Sequence, residues 1–315
     1  MLHNRYFSGM SKCYNYFSYV LRLFSVCLLL MFASCTEIID INTDNSKPVI
    51  VIYGAITDIP SFQEVSISSS TGYFDNKTNP KISGAKVTIT SGSEEYTLNE
   101  VEGTPGLYRT TTKMSGIPGK TYNLQVEVDY NGDGVNEVYE ASAKMEEKVQ
   151  LDSIDVTSQL VSQRNYFSVN MYAQDPSSED YYMCRYQIND SVYNKISKYI
   201  VFDDTSVNGQ YIKGLSLGYF PDIKDKSKYS DDEVKEMTFM AEGDSVKFQL
   251  SRITKGYYRF LFQCQQEKNG EDPFFGGPLS NIDTNISNGG TGYFAAFAVS
   301  EAKGVAPKQD ISNEK

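Results

Sequence analysis

From Pro48 to about Met145 the chain is a succession of short apolar–polar alternations, broken about every 8–12 positions by turn residues. Val49-Ile50-Val51-Ile52-Tyr53 predicts a first strand and residues 64–68 a second. Ser91-Gly92-Ser93 separates the runs 87–90 and 96–98 as a hairpin turn, and Ile117-Pro118-Gly119-Lys120 is another turn. After it, Tyr122, Leu124, Val126 and Val128 fall on one face of a strand, and residues 135–143 return antiparallel. About seven strands in roughly 100 residues predict an immunoglobulin-like β-sandwich over residues 48–148.

The pattern over residues 149–302 predicts a second β-rich domain with one or two short helices. Residues 166–172 and 181–188 alternate, with the loop Asp175-Pro176-Ser177-Ser178 between them, and residues 246–250 form another strand. Ser230-Asp231-Asp232-Glu233 is a capping box, which predicts a helical turn or two as far as Met237. Residues 253–264 fit two periods. Ile253, Tyr257, Leu261 and Cys264 make a helical stripe with Thr254 as N-cap, whereas Tyr258, Phe260, Phe262 and Cys264 make a strand face. Gly289-Gly290-Thr291-Gly292 precedes a last strand at 293–299, and residues 303–315 read as a frayed tail. The fold class is therefore mainly β.

The first 34 residues have a different character. Arg5, Lys12 and Arg22 stand without an acidic residue, an apolar run covers residues 23–32, and Ala33-Ser34 precedes Cys35. That is the order of an export leader, and the apolar run is too short for a bilayer span of about 20 residues. Cys35 is then the expected lipidation site, although Phe32 stands where a leucine is usual. The competing assignment is an ordinary secretion signal with a chance cysteine. Residues 35–47, rich in Asp, Asn, Thr and Ser, read as a flexible tether. A lipid chain at Cys35 would hold the protein at a membrane through buried CH2 groups worth about 0.8 kcal/mol each. The expected location is the outer membrane, on its periplasmic or its outer face.

Charge and rare residues narrow the chemistry. The 315 residues carry 29 basic and 40 acidic side chains, a net charge of −11. Loss of the leader would leave 26 basic against 40 acidic, or −14. Such an excess repels nucleic acid and anionic headgroups, so no nucleic-acid partner is expected. The single histidine, His3, lies in the leader, which excludes Ser-His-Asp, Cys-His and histidine–metal chemistry from the mature chain. Of five cysteines, Cys13 and Cys27 leave with the leader and Cys35 carries lipid. Cys184 and Cys264 remain, either as a disulfide or as two buried thiols.

Three constellations suggest sites. Residues 129–140 satisfy the calcium-loop pattern D-x-[DN]-x-[DN]-G-x5-E. In it Asp129, Asn131 and Asp133 would offer side-chain oxygens, Val135 its carbonyl and Glu140 a bidentate carboxylate. The flanks are strands, however, and Asn131-Gly132 and Asp133-Gly134 are also preferred hairpin dipeptides. Calcium, if held, would be a structural staple, and no other cofactor is expected. Among 24 tyrosines and no tryptophan, Tyr73 and Phe74 in one loop and Tyr219 and Phe220 in another sit where nothing demands burial. Loop aromatics of this kind can stack on a glycan or anchor a protein partner. The acidic groups Asp203-Asp204 and Asp231-Asp232-Glu233 read as a turn and a helix start. They could serve acid–base work only if they faced each other across a cleft.

Several stretches, taken in order, resemble the DUF4249 lipoproteins of Bacteroidota. They are residues 51–57 (VIYGAIT), Gly106-Leu107-Tyr108, Pro118-Gly119-Lys120-Thr121-Tyr122, Leu151-Asp152-Ser153-Ile154, Gly243-Asp244-Ser245-Val246, and Pro278 through Ser287 to Phe294. The resemblance spans nearly the whole chain after Cys35 and departs from the family at Glu146-Glu147-Lys148, where a proline-rich linker is usual. It implies a helix at 253–264. It also implies a non-enzymatic accessory binding protein that captures a nutrient, a glycan for example, beside a TonB-dependent outer-membrane transporter. A structural or adhesive surface protein is the alternative, and a carboxylate-based glycosidase is a third.

Overall fold

The N-terminal alternation resolves into seven strands, in a computed structural model that describes residues 48–70, 79–266 and 282–308. They are β1 (Ile50–Thr57), β2 (Glu64–Ser69), β3 (Lys86–Ser91), β4 (Glu94–Glu100), β5 (Leu107–Thr110), β6 (Thr121–Val128) and β7 (Glu137–Lys144). An eighth strand, β15 (Thr291–Phe297), joins them in one sheet of order β15-β1-β2-β5-β4-β3-β6-β7. The sheet curls around a single core containing Ile52, Ile67, Ile89, Tyr122, Leu124 and Val126. Tyr122, Leu124, Val126 and Val128 all point inward, as the period of two requires. Each such side chain contributes about 1.5–3 kcal/mol on burial.

The curl brings the far edges together. Ser287 N–H donates to the Glu140 carbonyl at 2.8 Å, and the Ser287 hydroxyl accepts from Glu140 N–H at 2.7 Å. Asn285 also reaches the Ser142 carbonyl at 3.2 Å. β15 is the only parallel neighbour on this path, with Val51 opposite Thr291 and Thr57 opposite Phe297. Gly292 makes that pairing sterically feasible. Its φ is +98°, and a Cβ there would lie 2.1 Å from the Ile52 carbonyl oxygen.

A boundary at 148/149 does not hold for these late residues. Ile286, Phe294, Ala296 and Ala298 fill the first core, because β1 needs β15 to cover its open edge. The described residues all fall within one compact unit, Ser46–Lys315. The expected tail also begins too early at 303. β16 (Ser300–Val305) pairs with β14 (Ser245–Ile253), and Ala306 is buried against the second core. Only residues 309–315 lie outside the description at that end.

The second part is a sandwich of two sheets. One has the order β13-β9-β8, from β8 (Leu151–Val161), β9 (Arg164–Gln174) and β13 (Tyr211–Pro221). The other has the order β11-β10-β14-β16, with β10 (Tyr181–Ile188), β11 (Ser191–Tyr193) and β12 (Ile200–Asp203), the last also pairing with β10. Phe167, Val169, Met171, Tyr182, Phe248 and Leu250 meet between them. The capping box is present: Ser230 accepts from Glu233 N–H and Glu233 accepts from Ser230 N–H, opening α1 (Asp231–Glu236).

The ambiguous segment is a helix, α2 (Lys255–Gln266), and Thr254 Oγ1 accepts from Tyr257 N–H at its start. Tyr257, Phe260, Leu261 and Cys264 are buried, while Phe262, part of the strand alternative, is exposed. Burial on both faces of β15 decides the matter. Phe294 and Ala296 face the first core, so Tyr293, Ala295 and Phe297 need a cover on the other side. The helical stripe supplies it. Gly256 has a role there too, since a Cβ would come within 2.5 Å of the Tyr293 hydroxyl. Across this layer the hydroxyls of Tyr53 and Tyr257 lie 2.9 Å apart, tying β1 to α2. Cys184 and Cys264 are both buried in different cores and do not form a disulfide with each other. No helix among the described residues is long and apolar enough to cross a membrane.

Candidate functional site

The expected sites fare differently. Cys35, Tyr73 and Phe74 lie outside the described residues. Tyr219 and Phe220 were expected in a loop, yet both belong to β13. Alternation then separates them. Phe220 turns into the second core, edge-on to Tyr186 at 5.0 Å, and is removed as a surface contact except at the floor of a groove. Tyr219 points outward and is 61% exposed.

The calcium set does not assemble. Asp129 accepts from the backbone N–H groups of Asp133 (3.1 Å) and Gly134 (2.9 Å), and Asp133 accepts from Val135 N–H (2.8 Å). Glu137 closes the turn by accepting from Tyr130 N–H at 2.8 Å and from the Asn131 amide. Glu140 sits three residues further along β7, opposite Gln125, and lines a polar hollow of about 440 Å³ with Asn123 and Asn285. Strand geometry carries its carboxylate away from the loop, whereas a helix would have wound it back. Among the described residues, Asp129, Asp133 and Glu140 do not gather their carboxylates.

Another acidic group does gather. Asp175 follows β9, Asp180 precedes β10 and Asp204 follows β12, and their carboxylate oxygens lie within 4.8 Å of one another. All three side chains are buried. Asp180 pairs with Arg252 on β14 and accepts from Ser178 Oγ at 3.2 Å. Asp175 accepts from the Tyr182 hydroxyl and from Gly209 N–H at 2.9 Å, and Asp204 accepts from Asp180 N–H at 3.0 Å. Burial pushes the Asp180 carboxyl above the usual aspartate range. Arg252 and Ser178 pull it down, and Asp175 and Asp204 push it up again. With these partners the cluster works as a knot that pins three loops to β14. By its local sequence Asp203-Asp204 reads only as a turn. Asp203 does accept from Thr205 N–H at 3.1 Å, but nothing local marks Asp204 as buried. Asp231, Asp232 and Glu233 stand exposed at the start of α1, whereas Asp204 is buried.

Beside Tyr219 lies an open groove of about 330 Å³ between β13, the segment 197–200 and the end of α1. Tyr166, Tyr186, Tyr199, Tyr219 and Met237 give it aromatic and soft walls, and Lys198 stands at its rim. Gly218 leaves the wall thin, since a Cβ there would touch Ile200 and Phe220 at 3.4 Å. Neighbours hold the phenols in place. Tyr186 OH lies 3.2 Å from Thr238 Oγ1, Tyr199 donates to the Asn194 carbonyl at 2.8 Å, and Tyr229 donates to Tyr166 OH at 2.9 Å. Lys198 Nζ donates to the Glu236 carbonyl, fastening segment 197–200 to α1. Burial raises the Tyr186 hydroxyl, opposed by its contact with Thr238. Burial also pushes Tyr229 up to about 12, with Tyr166 adding to the rise. Both therefore stay protonated hydrogen-bonding groups at neutral pH. The groove offers rings for stacking and phenols for hydrogen bonding, and among the described residues that line it the exposed Glu236 is the one carboxylate.

No curated protein matches the chain. Residues 36–303 match the family described as a domain of unknown function, DUF4249. That span takes in the curled eight-stranded sheet, every residue of the groove and all of the sandwich but the last two residues of β16. The chain belongs to the DUF4249 family.

Proposed function

We propose that this protein is a lipid-anchored, non-enzymatic binding protein whose groove beside Tyr219 takes a nutrient-sized ligand. The observation that carries the proposal is Tyr219 itself, a large ring 61% exposed at the mouth of a tyrosine-walled groove. An exposed aromatic next to fixed hydrogen-bonding groups is the pairing that ligand sites use for area and orientation. The leader and Cys35 support anchoring, with the outer membrane as the location. The family resemblance supports delivery to a TonB-dependent transporter. No cofactor enters this scheme.

Titration calorimetry of the full chain against small sugars, peptides and nucleosides tests it, with Tyr219→Ala as the variant. Binding weakened about tenfold or more by Tyr219→Ala is expected, since an aromatic contact is worth roughly 0.5–1.5 kcal/mol beyond its buried area. A ligand held equally well by both forms removes the groove from the function. Cys35→Ala should move the protein from the membrane fraction to the soluble one.

One feature favours a structural or adhesive role instead. Leu160 and Val161 stand exposed at the tip of the β8–β9 hairpin, whose turn holds Ser162 and Gln163 at φ +50° and +63°. Loss of surface adhesion in a Leu160→Ser variant, with ligand binding unchanged, would support that alternative.

A further inference from the structure

The groove opens onto the outward face of the three-stranded sheet, and the register shows what that face carries. In β9, Phe167, Val169, Met171 and Ala173 point into the core, so Tyr166, Ser168, Asn170 and Tyr172 take the opposite face, where Ser168 is covered and the other three are partly exposed. On β8, Asp155 and Thr157 lie opposite Asn170 and Ser168. On β13, Tyr211, Lys213, Ser216 and Tyr219 lie opposite Gln174, Tyr172, Asn170 and Ser168.

A regular strand could not place 213, 216 and 219 on one face. Two register shifts in β13, between Lys213 and Leu215 and between Ser216 and Gly218, do so. Bulges that re-aim side chains are features of built surfaces. They also protect this edge, since β13 has no second neighbour in the sheet.

The result is ordered from end to end. Tyr166 and Tyr219 stand at one end, and Tyr172 and Tyr211 at the other. Tyr166 and Tyr172 are six residue steps apart on β9, or about 20 Å at a strand's rise of about 3.3 Å per residue. Between them runs a fixed hydrogen-bonded row. Ser168 Oγ lies 3.0 Å from Asn170 Oδ1 and 2.8 Å from Ser216 Oγ, and Asn170 Nδ2 donates to Thr157 Oγ1 at 3.1 Å. Charge is nearly absent from the row in a chain whose net charge is −11. The face around it carries charge of both signs: Asp155 accepts from the Tyr172 hydroxyl at 3.3 Å and Asp152 accepts from the Tyr211 hydroxyl, while Lys213 on β13 and Arg164 on β9 are cations. Tyr211 is half exposed, and no described strand or helix pairs with the outer edge of β13.

We propose that this face is a track for an extended neutral glycan, with the Tyr219 groove as its terminal subsite. The proposal rests on the groove being a ligand site and adds its ligand class and direction. The chemistry selects the occupant. Tyrosine rings at both ends match the apolar faces of pyranose rings, and hydroxyl and amide groups between them match sugar hydroxyls. The lack of net charge favours a neutral chain over a nucleic acid, an acidic polymer or a charged peptide. A length of about 20 Å calls for an oligomer and not a single sugar.

The test is calorimetry of the full chain with neutral gluco-, xylo-, manno- and galacto-oligosaccharides of one to six units. Affinity for at least one series should rise about tenfold or more between two units and six. Tyr172→Ala and Tyr211→Ala should each cut hexamer affinity about tenfold and leave the shortest sugars unaffected, while Tyr172→Phe should retain hexamer binding. Tyr219→Ala should weaken every length. Binding that does not grow with length, or that ignores Tyr172→Ala, overturns the track and leaves the groove standing. Binding of peptides or nucleosides at the groove without any saccharide binding likewise overturns the track alone. Short-sugar binding that ignores Tyr219→Ala overturns the groove itself. Melting curves show that each variant is folded, and the half-exposed positions of Tyr172 and Tyr211 predict that it is.

Discussion

Replacing Arg252 by methionine would expose how the acidic knot is balanced. Among the described residues Arg252 is the cation paired with Asp180, whose side chain is 1% exposed, and it also donates to Ser178 Oγ at 3.0 Å. Asp175 and Asp204 lie within 4.8 Å of that carboxylate. Methionine keeps most of the side-chain volume and removes the charge. Removing one member of a buried ion pair costs about 3–5 kcal/mol, because the remaining charge stays desolvated. Here two further carboxylates add repulsion, so the upper part of that range is expected. It is a large share of the roughly 5–15 kcal/mol that holds a typical domain.

The loss should depend on pH in a set direction. Asp180 is already raised above its ordinary value, by burial first and by Asp175 and Asp204 after it. The folded state therefore holds this proton more tightly than the unfolded state does. The contribution is fully present below the unfolded value and is lost as pH rises through the folded one. Without the guanidinium the folded value moves higher, and the affected window extends towards neutrality. Urea unfolding of both proteins at several pH values between about 7.5 and 5 should show the gap narrowing as pH falls. A second variant combining Arg252→Met with Asp180→Asn should recover a good part of the loss. A deficit under about 1 kcal/mol near neutrality, or one that is constant with pH, would refute the account.

Two further outcomes follow from backbone geometry. Gly292→Ala places a Cβ 2.1 Å from the Ile52 carbonyl oxygen at φ +98°; it should break the β1–β15 pairing and lower the thermal midpoint by many degrees, and an unchanged midpoint would show that the pairing is dispensable. In the 129–140 loop, Glu137→Gln should cost about 1 kcal/mol by weakening its bonds to Tyr130 and Asn131. Glu140→Gln should change stability by less than about 0.5 kcal/mol, and millimolar calcium should leave the melting temperature where it was. A calcium-dependent rise of several degrees would restore the metal loop.

Local patterning alone determined the elements whose neighbours in sequence are their neighbours in space. The alternation of Tyr122, Leu124, Val126 and Val128 sufficed for β6, and Ser230 with Glu233 sufficed for the start of α1, because both rest on periods or caps a few residues long. The helix at Lys255–Gln266 was half legible: its stripe was present, but so was a strand face. Only the bare side of β15 settled which one was buried. The groove and its sheet face were less legible still. Tyr219 stood out as an exposed aromatic, yet two bulges in β13, which no local signal announces, aim it along one face with Ser216 and Lys213. The calcium pattern read correctly as letters and failed as geometry, since a strand carries Glu140 away from Asp129. Asp175, Asp180 and Asp204 were invisible as a group because residues far apart in the chain meet only when three loops close over Arg252. What the sequence determined by itself was composition, period and chemistry within reach of a turn. The tertiary structure decided which distant residues share a face, because that depends on which edges and cores remain to be covered once the local elements have formed.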